Sequence, residues 1–146
     1  MEPSKKIIFI KDWILNYVNS MPVKAKSLVI GISGGIDSSV SSTLSAMTGL
    51  KTIVLSMPIK QNSSQHDLSV RHQEWLKKNF KNVEGYTVEL DPLFKTFEST
   101  LKDFSSEHGM ANSRARLRMS TLYQVAAANN GIVVGTGNKV EDFGVG

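Results

Sequence analysis

Apolar residues recur along the chain at two spacings, one typical of helices and one typical of buried strands. Near the start, five of them lie three or four residues apart: Ile7, Ile10, Ile14, Tyr17 and Val18. This spacing predicts a helix, which ends before Pro22 because proline cannot continue it. The next apolar run, residues 28–32, is short and continuous, which predicts a buried strand.

The alternation of helix and strand continues along the chain. Further strands are predicted at residues 52–56, 84–90 and 132–136. Helices are predicted between them, one ending at Gly49 and the others covering about 68–80, 93–104 and 114–129, with 105–113 as a polar loop. Strands separated by helices imply a three-layer α/β/α fold with a parallel, Rossmann-like sheet. In such sheets, ligands bind beyond the carboxyl ends of the strands.

Two expectations concern which side chains are buried. In the second helix, the residues predicted to face the core are Val40, Leu44 and Met47. Small residues of the same helix, Ser39, Ser42 and Ala46, are expected to allow close packing. In the third strand, the alternate positions predicted to share one face are Tyr86, Val88 and Leu90.

A serine- and glycine-rich segment follows the first strand directly. Its residues are Ser33, Gly34, Gly35, Ile36, Asp37 and Ser38. Adjacent glycines let backbone N–H groups approach phosphate oxygens, serine hydroxyls donate hydrogen bonds, and the following helix directs its positive end at the anion. The aspartate can hold magnesium. The segment therefore predicts a pyrophosphate and magnesium site in an ATP-using enzyme.

Other phosphate motifs do not match this segment. A Walker loop requires a lysine after its last glycine, and no lysine occurs between Lys26 and Lys51. The dinucleotide fingerprint requires G-x-G-x-x-G, a spacing that neither residues 31–35 nor residues 135–140 have. A purely structural glycine turn is the alternative, but it leaves the two serines and the aspartate unexplained.

A second polar loop, at residues 135–142, follows the fourth predicted strand. If that strand neighbours the first, both loops reach the same edge of the sheet. Thr136 is then placed to contact the nucleotide, and Glu141 or Asp142 to give magnesium a second carboxylate. Met57, just after the second strand, is a candidate to contact the adenine of ATP, because the nucleotide must extend along the strand ends.

Composition narrows the function classes. The chain has 146 residues, is 40% hydrophobic and contains no cysteine, which fits one globular domain without disulfides, zinc thiolates or a cysteine nucleophile. The net charge of +4 suits a polyanionic ligand, but the lysines are spread along the chain, so nucleic-acid binding is not predicted. No apolar stretch approaches the ~20 residues of a membrane span, and a cytoplasmic location, where ATP is available, is expected.

Three arginines lie close together in the last predicted helix. At 100° per residue, Arg114 and Arg118 lie about 40° apart, whereas Arg116 points about 200° away from Arg114. The three therefore cannot share one role. For Arg114 and Arg118, the default interpretation is a solvated basic face.

The histidines and tryptophans gain no catalytic role from their spacing. His66, His72 and His108 lack the neighbours of a metal site, and each is predicted to be a surface residue. Trp13 and Trp75 lie in helical stretches and are interpreted as core or interface packing.

Three segments in this order resemble a known enzyme family. They are residues 28–39 with the phosphate segment, residues 112–119, which read Asn-Ser-Arg-Ala-Arg-Leu-Arg-Met, and residues 133–139, which read Val-Val-Gly-Thr-Gly-Asn-Lys. Together they resemble the ammonia-dependent NAD synthetase family, which belongs to the N-type ATP pyrophosphatases and has an adenine nucleotide alpha hydrolase-like fold. The phosphate segment alone resembles only that wider group.

The resemblance implies a reaction and assigns residues to it. Nicotinate adenine dinucleotide attacks ATP to give an acyl-adenylate and pyrophosphate, and free ammonia then displaces AMP to give NAD. The residues that would bind ATP are Gly31, Ile32, Ser33, Gly34, Gly35, Ile36, Asp37, Ser38 and Thr136. Ser33, Asp37 and Ser38 would act in catalysis. Asp37 and Glu141 would hold Mg²⁺, and Arg116 would bind the dinucleotide.

The resemblance also carries expectations about assembly and extent. It implies a homodimer, with contact faces on the first helix and on residues 114–129. It also implies a family chain that continues beyond Gly146, so that residues 1–146 are expected to be an amino-terminal portion of one domain. The absence of cysteine argues against the thiolating relatives and against a cysteine-dependent glutaminase. The alternatives are the ATP-binding domain of GMP synthetase and a non-catalytic ATP-binding module.

Overall fold

The computed structural model describes residues 1–60 and 63–138. In chain order the elements are α1 (Pro3–Ser20), β1 (Ser27–Gly31), α2 (Ile36–Met47), β2 (Thr52–Ser56), α3 (Ser63–Asn79), β3 (Val83–Thr87), α4 (Asp91–Thr100), a short 3₁₀ helix (Lys102–Phe104), α5 (Glu107–Ala128) and β4 (Gly131–Val133). The predicted alternation of helices and strands is therefore confirmed. In this part of the chain, none of the helices combines the length and apolar character that crossing a bilayer requires.

The four strands form one parallel sheet in the order β3, β2, β1, β4. β1 lies between β2 and β4, and Val29 of β1 pairs with Val133 of β4. Backbone hydrogen bonds continue beyond both pairs, because Ile32 N–H donates to the Leu55 carbonyl and Val134 N–H donates to the Val29 carbonyl. The loops that follow β1, β2 and β4 therefore meet at one edge of the sheet, as predicted.

Helices cover both faces of the sheet and give the predicted three layers. α5 packs on β1 and β4, with α4 against α5, around the larger apolar core. The buried members of that core are Val29, Ile53, Leu55, Met57, Ile59, Leu90, Phe94, Met110 and Ala126. α2 and α3 cover the opposite face, around a core of Ile30, Ile32, Ala46, Val54, Leu76 and Val83. Successive strand residues point to opposite faces, so Val29 and Ile30 belong to different cores.

α1 lies outside these layers, against α2. Val18 is its buried residue, whereas Phe9 is 60% exposed and Trp13 is 58% exposed. Trp13 stacks on Tyr17, with their ring centroids 5.5 Å apart, instead of entering the core. The predicted helix is confirmed, but its apolar stripe is largely a surface.

The buried face of α2 consists of small residues, so the prediction that Val40, Leu44 and Met47 face the core is wrong. The burial of Ser42 and Ala46 agrees with the close packing expected from them. The buried side chains are Ser38, Ser42, Ser45 and Ala46. Val40 and Met47 are exposed, and Leu44 is only half-buried. Short side chains let the helix lie close to the sheet, and their hydroxyls bond to helix carbonyls, as Ser45 Oγ does to the Ser41 carbonyl at 2.8 Å. Because the buried hydroxyls have partners, their burial costs little.

α5 begins at Glu107, inside the stretch 105–113 that was predicted to be a loop. The side chain of Ser106 caps the helix, because its Oγ accepts a hydrogen bond from Gly109 N–H at 3.0 Å. The first turns of α5 are mostly exposed and polar. No apolar period therefore marked them as helical in the sequence.

β3 and β4 end earlier than predicted, at Thr87 and Val133. Tyr86 is exposed while Leu90 is buried, so the face that these residues were expected to share does not exist. The reason is that Leu90 has left the extended conformation and is the N-cap residue of α4.

His72 is half-buried between α2 and α3, although it was predicted to be a surface residue. Its Nε2 lies 2.9 Å from Ser42 Oγ, and its ring stacks on that of Trp75 with centroids 5.7 Å apart. Burial lowers the pKa of His72 below its ordinary value of 6.5, and a backbone hydrogen bond at Ser39 opposes that shift. The neutral ring is therefore the form that the interface favours.

The Ser106 cap yields a first prediction about stability. In the natural protein that contains this chain, Ser106→Ala removes the partner of Gly109 N–H and should lower the free energy of unfolding by about 1 kcal/mol. Urea denaturation would measure the change. The matched control is Ser105→Ala, on the exposed neighbour that lies outside the helix, which should change stability by less than about 0.5 kcal/mol. Equal effects of the two variants would mean that α5 does not begin at Glu107.

His72 yields a prediction about pH. A depressed pKa in the folded state means that, below about pH 6.5, the unfolded chain binds a proton that the folded protein resists. Stability should therefore be fully present above that pH and fall as the pH drops through it. His72→Gln should flatten this part of a curve of unfolding free energy against pH measured between pH 8 and pH 5. An unchanged slope would show that His72 is not the group responsible.

Candidate functional site

A cavity of about 680 Å³ opens beside the loops that follow β1, β2 and β4. The residues predicted to bind ATP that line it are Gly31, Ile32, Ser33, Ser38, Met57 and Thr136. α5 contributes a second wall, made by Ala115, Arg118, Met119, Leu122 and Tyr123. A largely apolar recess with a few polar groups at one end is typical of a nucleotide site.

The other four residues predicted to bind ATP do not line this cavity. Gly34 and Gly35 complete the loop, while Ile36 and Asp37 begin α2 beside it. The Ile36 side chain is 74% exposed. At Gly34, Gly35 and Ile36, a ligand in the cavity would therefore contact the backbone more readily than a side chain. At Asp37 the carboxylate is also accessible.

The two serines of the loop bond to each other and to the loop backbone. Ser33 N–H donates to Ser38 Oγ at 3.1 Å, and the two hydroxyl oxygens lie 3.2 Å apart. Gly35 N–H donates to Ser33 Oγ, and Ser38 Oγ donates to the Gly35 carbonyl. The serines thus shape the loop directly. The N–H groups in the first turn of α2 have no partner within their helix, which makes this turn suitable for an anion.

Gly34 has a backbone that only glycine adopts easily. Its φ is +94°, in the left-handed region. A Cβ at this position would lie 2.6 Å from the backbone oxygen of Gln65 in α3. The loop is therefore packed tightly against the first turns of α3, a contact that the motif itself did not predict.

Asp37 connects the two loops that the sequence analysis placed at this edge. Its exposed carboxylate accepts a hydrogen bond, through Oδ2, from Asn138 Nδ2 at 2.7 Å. Residues 33–38 and the start of the second loop are thus brought together. Glu141, the predicted second carboxylate, lies outside the described residues.

Magnesium needs few protein ligands at a phosphate site. It commonly binds through one or two carboxylates, with substrate phosphates and waters completing the shell. Asp37 fits this use, because its carboxylate is exposed at the start of α2, next to the phosphate loop. Within residues 1–60 and 63–138, no group of three or more His, Asp or Glu residues could hold a metal alone. Among these residues, Asp37 would need substrate phosphates and waters to complete the shell of such an ion.

Met57 and Arg118 join β2 to α5 at the wall of the cavity. Arg118 Nε donates to the Met57 carbonyl at 3.0 Å. Burial lowers the pKa of the half-buried Arg118 guanidinium, and the nearby charge of Arg114 adds to that shift. The end of the Met57 side chain lies close to Gly31, another residue of the cavity wall, so this side chain is placed for a contact with adenine.

Arg116 lies apart from the first cavity. It is exposed and lines a second cavity of about 580 Å³ between α4 and α5, whose walls include Leu93, Phe97, Leu101 and Leu117. The Arg114 guanidinium lies over the ring of Phe94, 5.5 Å from its centroid. The prediction that the three arginines have different roles agrees with these positions, but Arg114 and Arg118 are half-buried and do not form a solvated face.

The contribution of α5 to the first cavity was missed in the sequence. Arg118, Leu122 and Val125 recur at positions i, i+4 and i+7 and lie on the helix face that packs toward the sheet. An arginine within such an apolar series was the available signal. A cation on a packed face needs a polar or anionic partner, which distinguishes it from a surface arginine.

Fold and site together define a class of protein: a three-layer α/β protein whose central parallel strand leads into a phosphate-type loop beside a nucleotide-sized cavity. A family model described as NAD synthase matches residues 6–146. The chain belongs to the NAD synthase family.

Individual relatives agree with this assignment. The NH(3)-dependent NAD(+) synthetase of Mesoplasma florum is 40% identical over 134 residues, which cover 87% of this chain and 52% of the relative. The solved NMN synthetase from Francisella tularensis has a TM-score of 0.86 at 34% identity. The match covers 97% of this chain and 57% of the synthetase chain. For the NH3-dependent NAD synthetase from Campylobacter jejuni, the TM-score is 0.83 at 30% identity, over 97% and 59% of the two chains. The chain spans about half the length of the curated relatives it matches.

The packing of the phosphate loop yields a prediction. Gly34→Ala and Gly49→Ala both place a side chain at positive φ, +94° and +80°, which costs about 1–2 kcal/mol. At Gly49 nothing lies within 4 Å of the added Cβ, whereas at Gly34 it meets the Gln65 backbone oxygen. Gly34→Ala should therefore lower the free energy of unfolding clearly more than Gly49→Ala does.

The difference between these two variants isolates the contact between the loop and α3. Chemical denaturation of both variants beside the unmodified protein would measure it. If the two variants were equally stable, the loop would not be held against Gln65 in solution.

Proposed function

We propose that the protein to which this chain belongs is an ammonia-dependent NAD synthetase. It amidates nicotinate adenine dinucleotide with ammonia, and ATP activates the carboxylate as an acyl-adenylate, with release of pyrophosphate and then AMP. The observation that carries the proposal is the phosphate loop, residues 33–38, beside a nucleotide-sized cavity in a chain of the NAD synthase family.

In this proposal the β- and γ-phosphates of ATP rest on the loop. The N–H groups of the first turn of α2 donate to their oxygens, and the hydroxyls of Ser33 and Ser38 exchange their mutual contact for bonds to phosphate. Charge accumulates on the departing pyrophosphate, so these donors stabilise the transition state more than the ground state. Mg²⁺, which Asp37 and the proposed second carboxylate Glu141 would hold, neutralises that charge when bound.

The remainder of the nucleotide extends along the strand ends. Thr136 and the Met57 side chain line the cavity there and would contact the adenosine part. Arg116 would hold the acidic acceptor from the second cavity, where its exposed guanidinium has no carboxylate within 4.0 Å among the described residues. The two cavities lie on opposite faces of α5, so in this proposal the acceptor must extend past the helix for its carboxylate to reach ATP.

One relative indicates a second candidate acceptor. The Francisella tularensis structure, at 34% identity and a TM-score of 0.86, is of an NMN synthetase. Its name identifies a mononucleotide product, so nicotinate mononucleotide is an alternative acceptor for the same chemistry. The phosphate loop serves either acid equally, because it contacts only ATP. Acceptor choice therefore has to be measured directly.

The proposal extends to the setting of the enzyme. Residues 1–146 would form part of one ATP pyrophosphatase domain, in a cytoplasmic enzyme that acts as a homodimer. The exposed apolar residues of α1 are one surface that a second copy could cover; they include Ile7, Ile8, Phe9, Ile10, Trp13 and Tyr17. Light scattering coupled to gel filtration would decide between one copy and two.

Pyrophosphate release tests the proposed reaction. The natural protein should release pyrophosphate from ATP and Mg²⁺ only when the correct acid is present, and ammonium should then give the amide. The acids to compare are nicotinate adenine dinucleotide, nicotinate mononucleotide and xanthosine monophosphate. Release with the last would indicate a GMP synthetase, and ATP binding without release would indicate a non-catalytic module.

The same assay tests the role of the loop carboxylate. Asp37→Asn should reduce pyrophosphate release at least about 100-fold, because a neutral amide is a poor magnesium ligand. The control Asp103→Asn neutralises an exposed carboxylate of the 3₁₀ helix and should leave the rate unchanged. Full activity of Asp37→Asn would exclude Asp37 as the metal ligand.

A further inference from the structure

Two half-buried cations lie one helical turn apart on α5. Arg118 lines the first cavity, and Arg114 is near enough to lower the pKa of Arg118. Within residues 1–60 and 63–138, no carboxylate lies within 4.0 Å of either guanidinium. Like charges that are partly desolvated and lack a counter-ion are unfavourable. Binding of an anion beside them would relieve that cost.

The two arginines differ in what they offer to such an anion. Arg114 is placed over the Phe94 ring and does not line the first cavity. Arg118 lines it, and within the described ranges its Nε is the one guanidinium nitrogen that is engaged, by the Met57 carbonyl at 3.0 Å. That bond fixes the plane of the guanidinium. The Nη groups are then a preset pair of donors for phosphate or carboxylate oxygens.

The sheet register places these donors next to the phosphate loop. Gly31 pairs with Leu55, so continuing the register by two residues sets Ser33 beside Met57. The hydrogen bond from Ile32 N–H to the Leu55 carbonyl supports that continuation. Neighbouring strands lie about 4.8 Å apart. The Met57 carbonyl, which Arg118 bonds just after β2, is therefore about one strand spacing from the first residue of the loop.

We propose that Arg118 binds the α-phosphate of ATP, an assignment that rests on the proposed function. With the β- and γ-phosphates on residues 33–38, the α-phosphate is the next anionic group along the nucleotide. Nε keeps its bond to Met57 while the Nη groups donate to a non-bridging oxygen of the α-phosphate. A carboxylate oxygen of the acid then forms a bond to the α-phosphorus, and pyrophosphate leaves with the electron pair of the bond that breaks. Arg118 holds the phosphorus in place during this exchange.

Separate binding measurements with ATP, AMP, pyrophosphate, adenosine and nicotinate adenine dinucleotide test the assignment. Isothermal titration calorimetry on the natural protein would compare Arg118→Met, which keeps an apolar stem, with Arg118→Lys, which keeps the charge without the fork. Arg118→Met should weaken ATP and AMP about 10- to 100-fold and leave pyrophosphate and adenosine nearly unchanged. Arg118→Lys should recover part of the loss. The matched control Arg114→Met removes a cation beside the cavity and should change AMP affinity by no more than about 3-fold.

Other outcomes would overturn the assignment. An equal loss of adenosine affinity in Arg118→Met would mean that the arginine only supports the Met57 wall. Unchanged ATP and AMP affinity, with weaker binding of nicotinate adenine dinucleotide alone, would move Arg118 to the acceptor. If the unmodified protein bound ATP normally and Arg118→Met did too, the inference would fail while the proposed function stood. If the unmodified protein bound neither ATP nor AMP, both would fail.

Discussion

The parallel pairing of β1 between β2 and β4 is the constraint on which the site depends. Parallel strands deliver their carboxyl ends to one edge, so three loops from distant parts of the chain converge there. Ser33, Met57 and Thr136 share a cavity for this reason, although the first and last are far apart in sequence. The hydrogen bond between Asp37 and Asn138 closes the gap between two of these loops. No single segment could assemble this site alone.

The serines of α2 serve packing and the loop together. Ser42 and Ser45 are buried, and the small volume of this face allows the helix to approach the sheet. Ser38 belongs to the same buried face and bonds to Ser33 in the loop. The position of the proposed anion site therefore depends on how closely α2 packs. Ser42 also contacts the half-buried His72 of α3. The packing of α2 is therefore linked to α3 and to the protonation state of His72.

Three closely spaced arginines of α5 lie in three different environments. Arg114 lies over an aromatic ring, Arg116 lines an apolar cavity that is open to solvent, and Arg118 is part of the wall of the proposed nucleotide site. A basic net charge is weak support for an anionic ligand when the lysines are spread over a surface. An arginine that lines a cavity and has no described counter-ion is stronger support, because burial raises the benefit of an anionic partner. Charge placement, more than charge total, supports an ATP-dependent function here.

The sequence alone determined the order of helices and strands, the parallel sheet, and the place of the glycine- and serine-rich loop at residues 33–38. These follow from local periodicity and from a run of small residues directly after a buried strand, and both are readable without tertiary contacts. Only the tertiary structure decided which helix faces are buried and where α5 begins. Ser38 and Ser45 were buried on α2 in place of Val40, Leu44 and Met47 because the helix packs closely on the sheet, and Ser106 started a helix inside a polar stretch through a capping hydrogen bond. The position of Arg118 was likewise decided by tertiary structure, since it depends on the Met57 carbonyl, which lies far away in sequence.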